Sequence, residues 1–82
     1  MTRKQFEKVK IGDTITSFGG GELIYKDGMN IILRQSSYTG EDRFLVTSLI
    51  EKRGFICIDY DVAQYCSTLK SAMTVIKELK DI

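Results

Sequence analysis

The chain has no histidine, no tryptophan and no proline, and only two cysteines among its 82 residues. The missing histidine removes the side chain that most often serves as acid, base or zinc ligand near neutral pH. Cys57 and Cys66 are spaced for neither a C-x-x-C redox pair nor a zinc knuckle, so neither a metal nor a cofactor is expected. No apolar run approaches the roughly 18–20 residues of a membrane span, and Met1-Thr2-Arg3-Lys4-Gln5-Phe6-Glu7 lacks the apolar core of a signal peptide. The expectation is a cytoplasmic chain with reduced thiols. A dominant charge is missing too: twelve Lys and Arg face eleven Asp and Glu, for a net +1. That balance excludes a histone-like polycation and an acidic nucleic-acid mimic, both of which need a strong field of one sign.

What is present is the composition of a globular domain. Hydrophobic residues make up 43% and charged residues 28%, enough apolar surface to argue against disorder. The length allows one domain over residues 1–82, with a small core. Residues 1–10 carry Arg3, Lys4, Lys8 and Lys10 against Glu7 alone, whereas 41–61 carries five acids against three bases.

Local patterns divide the chain into one short helical turn, five strands and a terminal helix. Phe6, Val9 and Lys10 between Thr2 and Gly12 suit one or two helical turns, with Thr2 as cap and Gly12 as stop. Thr14-Ile15-Thr16-Ser17-Phe18 is rich in β-branched residues and partly alternates, so it reads as a strand that Gly19-Gly20-Gly21 ends. Glu22–Lys26 and Met29–Gln35 flank Asp27-Gly28, the strongest hairpin signal in the chain. A polar loop at 36–42 leads to Arg43–Ile50, a turn at Glu51-Lys52-Arg53-Gly54, and a last strand over Phe55–Tyr60. Leu69, Ala72, Met73, Ile76, Leu79 and Ile82 recur at three- and four-residue spacing, which predicts a helix with Ser67 or Thr68 as cap.

Ile31-Ile32-Leu33 and Phe44-Leu45-Val46 are apolar on both strand faces, where a strand open to water on one side would alternate. One face is therefore expected to meet the helix. The other would meet a curled continuation of the sheet or another chain. The fold class that follows is α+β: a strongly curved antiparallel sheet of about five strands with one C-terminal helix packed on it.

Catalytic motifs are thin. The glycines at 19–21 lack the G-x-x-x-x-G-K-[ST] frame and the following helix that a phosphate loop requires, and read as a flexible hairpin tip. Ser67-Thr68-Leu69-Lys70 matches the S-x-x-K pattern of penicillin-binding enzymes, without the S-D-N and K-T-G elements those enzymes also need. Asp59 and Asp61 would share one side of a strand and suit a divalent cation, but no nucleotide-binding element accompanies them. Cys57 reads as a core or near-core thiol, and Cys66 lies beside the helix start, where the dipole favours a thiolate. No enzyme is expected.

Arg53-Gly54-Phe55-Ile56-Cys57-Ile58-Asp59-Tyr60 resembles the first ribonucleoprotein motif of RNA-recognition domains. Arg53, Gly54, Phe55 and Tyr60 match it. Ile56 stands where a small residue belongs and Cys57 where a second base-stacking aromatic belongs. That family also needs a helix between its first two strands, which this pattern does not offer, so the family is not assigned.

Two functions remain. The first is a non-enzymatic module acting by protein contact, with Tyr38, Arg34, Arg43, Arg53, Phe55 and Tyr60 as candidate partner-binding residues, since Tyr and Arg concentrate binding energy at interfaces. In size and composition, with no shared motif, the chain is similar to small phage and mobile-element proteins. Many of those inhibit host enzymes or defence systems, the anti-CRISPR proteins among them. A homodimer through an unpaired sheet edge belongs to the same expectation. The alternative is a single-stranded nucleic-acid binder, with the basic N-terminus beside a platform of Phe55, Tyr60, Tyr38, Arg34 and Arg53.

Overall fold

Two tight hairpins set the register of the sheet. In this computed structural model, which describes residues 1–81, Gly28 takes the positive φ that opens the loop between β1 (Glu22–Asp27) and β2 (Asn30–Ser36). Arg53 and Gly54, with φ of 52° and 83°, form the two-residue turn between β3 (Asp42–Lys52) and β4 (Phe55–Ile58). Positive φ at both loop positions matches the right-handed twist of the flanking strands. A fifth strand, β5 (Gln64–Cys66), pairs with β3, and helices α1 (Arg3–Glu7) and α2 (Leu69–Lys80) complete the chain. All pairings are antiparallel, in the order β1-β2-β3-β4 with β5 also on β3. The α+β class, the five-stranded antiparallel sheet and the C-terminal helix are as the sequence predicts.

The fifth strand is not the expected one. Thr14–Phe18 forms a single bridge, Thr14 to Glu22, and then bends away. Its apolar residues are Ile15 and Phe18, three apart, and both are buried, which an alternating strand cannot achieve. β4 and β5 lie along one flank of β3. Leu49 pairs with Ile58 and Val46 with Gln64, so three steps on β3 face six on the returning chain. The surplus forms the turn at 59–63, closed by the Val62 and Ala63 amides donating to the Asp59 carbonyl at 3.2 and 3.1 Å. β4 therefore stops at Ile58, short of the predicted Tyr60, and Asp59 and Asp61 sit in a turn rather than along one strand face.

Both faces of the sheet are buried, as the adjacent apolar residues require. The second face, for which a curled continuation of the sheet or another chain was expected, carries a covering layer from the N-terminal segment. The sheet is open and not strongly curled. On one face Ile32 and Val46 meet Ala72 and Ile76 of α2, with Ile24, Phe44, Val75 and Leu79 at the margin. On the other, Leu23, Ile31, Leu33, Leu45, Leu49, Ile56 and Ile58 lie under Phe6, Ile15 and Phe18 of the N-terminal segment. A bulge in β1 between Leu23 and Tyr25 lets Ile24 and Tyr25 both serve the helix side.

The helices differ in detail from expectation. α1 is capped by Thr2, whose hydroxyl accepts from the Gln5 amide while Gln5 Oε1 accepts from the Thr2 amide, a reciprocal capping box. It ends after Glu7, not at Gly12, because Lys26 Nζ of β1 donates to the Phe6 and Val9 carbonyls at 2.9 and 3.0 Å. Thr68, not Ser67, caps α2. The buried stripe is Ala72 and Ile76 with Val75 and Leu79, whereas Leu69 and Met73 face outward and Ile82 lies outside the described residues. At the far end of α2, Lys80 forms an ion pair with Asp27 and donates to the Tyr25 hydroxyl at 2.8 Å. Those two hydrogen bonds, that to Asp27 first, hold its ammonium above the ordinary lysine range.

Candidate functional site

The six predicted binding residues do not form one surface. In-register pairing assigns each strand residue to a face. Arg34 and Phe55 share the helix-bearing face, Arg34 opposite Phe44 and Phe55 opposite Lys52. Arg43, opposite Gln35, shares the face with Leu45, under the N-terminal segment. Arg34 is held by the Glu22 carboxylate across the β1–β2 pair. Tyr38 stands fully exposed on the 36–42 loop, which is closed by the Ser37 amide on the Glu41 carbonyl and the Gly40 amide on the Ser37 carbonyl. Tyr60 is on the 59–63 turn, and Arg53 is at the β3–β4 turn. A single stacking platform of Phe55, Tyr60, Tyr38, Arg34 and Arg53 is therefore not built.

Arg43 and Tyr60 are brought together, and Tyr65 joins them. A cleft of about 490 Å³ opens where the N-terminal loop passes the β5 flank, and it is lined by Ser17, Gln35, Ser36, Arg43, Tyr60 and Tyr65 among others. Tyr65 pairs with Leu45 and so projects to the face that carries Arg43. The Arg43 guanidinium lies 4.7 Å from the centre of the Tyr65 ring, a cation–π contact that holds a long side chain in one place. No carboxylate lines the cleft among the described residues. Tyr60 is 82% exposed and Tyr65 58% exposed, so both rings are available to a partner. Sequence reasoning missed Tyr65 because Gln64-Tyr65-Cys66 is too short a segment to show an alternating pattern. The only signal was a tyrosine between two turn-like stretches.

The triglycine loop frames this end of the sheet. Gly19, Gly20 and Gly21 all have positive φ, and the loop is pinned where Gln35 Nε2 donates to the Gly20 carbonyl at 2.7 Å. Gly21 has no room for a side chain: a Cβ would stand 3.0 Å from Gln35 Cγ and 3.1 Å from the Arg34 carbonyl oxygen. The run thus closes the antiparallel turn between residues 12–15 and 21–23, as a hairpin tip does, but it is pinned over the end of β2 and not the flexible tip expected. It offers no phosphate cradle, since Glu22 and Asp42 line the depression beside it and Glu22 already occupies Arg34.

The remaining chemical candidates stay apart. Cys57 and Cys66 are free and half-buried, on separate strands. Lys70 lines a groove beside α2 with Met73 and Lys77, while Ser67 precedes the cap. No group of three or more metal-ligating side chains exists among the described residues. No described helix is long and apolar enough to cross a membrane. Comparison with known protein families, with curated proteins and with solved structures finds no match.

Proposed function

We propose that this chain is a non-enzymatic binding module that engages another protein through the end of the sheet carrying Tyr38, Tyr60, Tyr65 and Arg43. The observation that supports this reading is the composition of three neighbouring segments there: Ser17 to Gly21, Ser36 to Gly40, and Tyr60 to Tyr65. They offer exposed tyrosines, one preordered arginine, small serines and glycines, and a shallow cleft. Tyrosine gives large amphipathic contact area with few rotatable bonds, and serine and glycine adapt hydrogen bonds around it, as in antibody loops. Arginine and tyrosine also dominate the energetics of protein interfaces. Binding without chemistry is how a stoichiometric inhibitor of a host enzyme or defence system acts, and that is the role proposed. Two free thiols fit a cytoplasmic setting.

Self-association through a sheet edge has less to work with than the sequence promised. The outer edge of β1 is met by residues 12–15, through Gly12 to the Leu23 carbonyl and Leu23 to the Asp13 carbonyl. The outer edge of β4 is met by Thr2 and by the Met1 carbonyl, which accepts from the Ile56 amide at 2.8 Å. A dimer would have to use Ile24–Asp27 or the three residues of β5.

The test is affinity capture from a nuclease-treated bacterial lysate with the wild-type chain and with Tyr38→Ala/Arg43→Gln/Tyr65→Ala. One protein captured by the wild type and lost with the triple variant is the expected outcome. Capture that persists with the variant, or that requires nucleic acid, would overturn the reading.

A further inference from the structure

The opposite end of β3 carries a second surface. Arg43 and Lys52 are nine residues apart on one strand, about 30 Å at roughly 3.3 Å per residue. Three features meet at the Lys52 end. Phe55 is 57% exposed on the helix-bearing face, beyond the part of the sheet that α2 covers. Lys52 lies directly opposite it on the same face. Arg53 heads the turn between them and is the one residue other than glycine with a positive φ among those described.

These cations are not spent inside the molecule. Lys52 and Arg53 have no carboxylate partner among the described residues. The nearest acid in the chain, Glu51, pairs with Ile56 and projects to the other face of the sheet. An exposed ring with two unpaired cations beside it on the same hairpin offers a flat surface for a base and charges for the neighbouring phosphates. An acidic protein segment would use the charges and leave the bare ring without a role.

We propose that this hairpin end binds single-stranded nucleic acid, with Phe55 as the stacking ring and Lys52 and Arg53 as phosphate contacts. The proposal is independent of the protein-binding reading and uses none of its residues. It accounts for an arginine at a turn position that asparagine or glycine would fill more comfortably.

Fluorescence anisotropy with a labelled 20-nucleotide oligothymidylate tests it. Binding at low salt is expected on the order of 10 µM, falling with ionic strength with a log–log slope of about −1.4 for two contacts. Arg53→Asn keeps the turn and is expected to reduce that slope by about 0.7. Phe55→Leu weakens binding roughly fivefold or more at unchanged slope, because it removes stacking and no charge. Tyr38→Ala and Arg43→Gln leave binding unchanged. Absence of binding at 20 mM salt would overturn the proposal, as would wild-type affinity in both Arg53→Asn and Phe55→Leu. Tighter binding of labelled polyglutamate of equal charge would also overturn it, by assigning the patch to an acidic protein.

Discussion

Two residues hold backbone conformations that disfavour most side chains, and they respond to substitution in opposite directions. Arg53 sits at φ 52°, where a side chain with a Cβ is strained by about 1–2 kcal/mol. Arg53→Gly or Arg53→Asn is therefore expected to stabilise the fold by about 1 kcal/mol, read as a higher urea midpoint at unchanged slope. Gly21 is the reverse case. Its φ of 133° and the 3.1 Å approach of a Cβ to the Arg34 carbonyl oxygen leave Gly21→Ala both strained and crowded. A loss of at least about 2 kcal/mol is expected, larger than that of Gly20→Ala, which has the strain but open space. The glycine run was visible in the sequence. Which of the three glycines is sterically required was not, because the answer depends on Leu33, Arg34 and Gln35 of another strand.

The elements show what periodicity can and cannot carry. Glu22–Lys26 and Met29–Gln35 flanking Asp27-Gly28 were legible because a two-residue turn fixes register locally. The helix was legible too, and Ala72, Ile76 and Leu79 of its expected stripe do pack on the sheet; Val75 joins them unforeseen, while Leu69 and Met73, counted with the stripe, face outward. A helix whose apolar arc is wider than the strip it presses on the sheet does not reveal which part of that arc makes the contact. Thermal unfolding should separate the two sets, with Ile76→Ala costing about 2–5 kcal/mol and Met73→Ala within about 0.5 kcal/mol of wild type. Comparable losses at the two positions would place the helix in a different rotation. The Lys80 contact with Asp27 and Tyr25 fastens the end of α2. Since the folded lysine holds its proton more tightly than the unfolded one, the contact contributes below the ordinary lysine range and is lost only as pH rises through the raised value.

Over the whole molecule, the residue pattern announced two buried faces without saying what covers the second. Nothing in Ile31-Ile32-Leu33 distinguishes a second sheet, a partner chain or a folded-back N-terminus as the cover. The distinguishing residues, Phe6, Ile15 and Phe18, are spaced irregularly and follow no secondary-structure period. The candidate site was partly legible for the same reason: Tyr38, Arg43 and Tyr60 stand out singly, but their distribution over the two faces depends on register and on the three surplus residues before β5. Phe6→Ala is expected to cost about 3–5 kcal/mol. It should also raise hydrogen exchange at the Ile56 amide, which donates to the Met1 carbonyl, before it affects the β2–β3 pairs. With no histidine in the chain, the urea midpoint should change little between pH 6 and 8. The N-terminal cover also sets an order of assembly during synthesis. Residues 1–21 leave the ribosome ahead of the strands they cover, and the surface they dock on includes Leu45, Leu49, Ile56 and Ile58. Until Ile58 has emerged, Phe6, Ile15 and Phe18 have only part of their surface to rest on, and the nascent chain carries those side chains exposed, where a holding chaperone can recognise them.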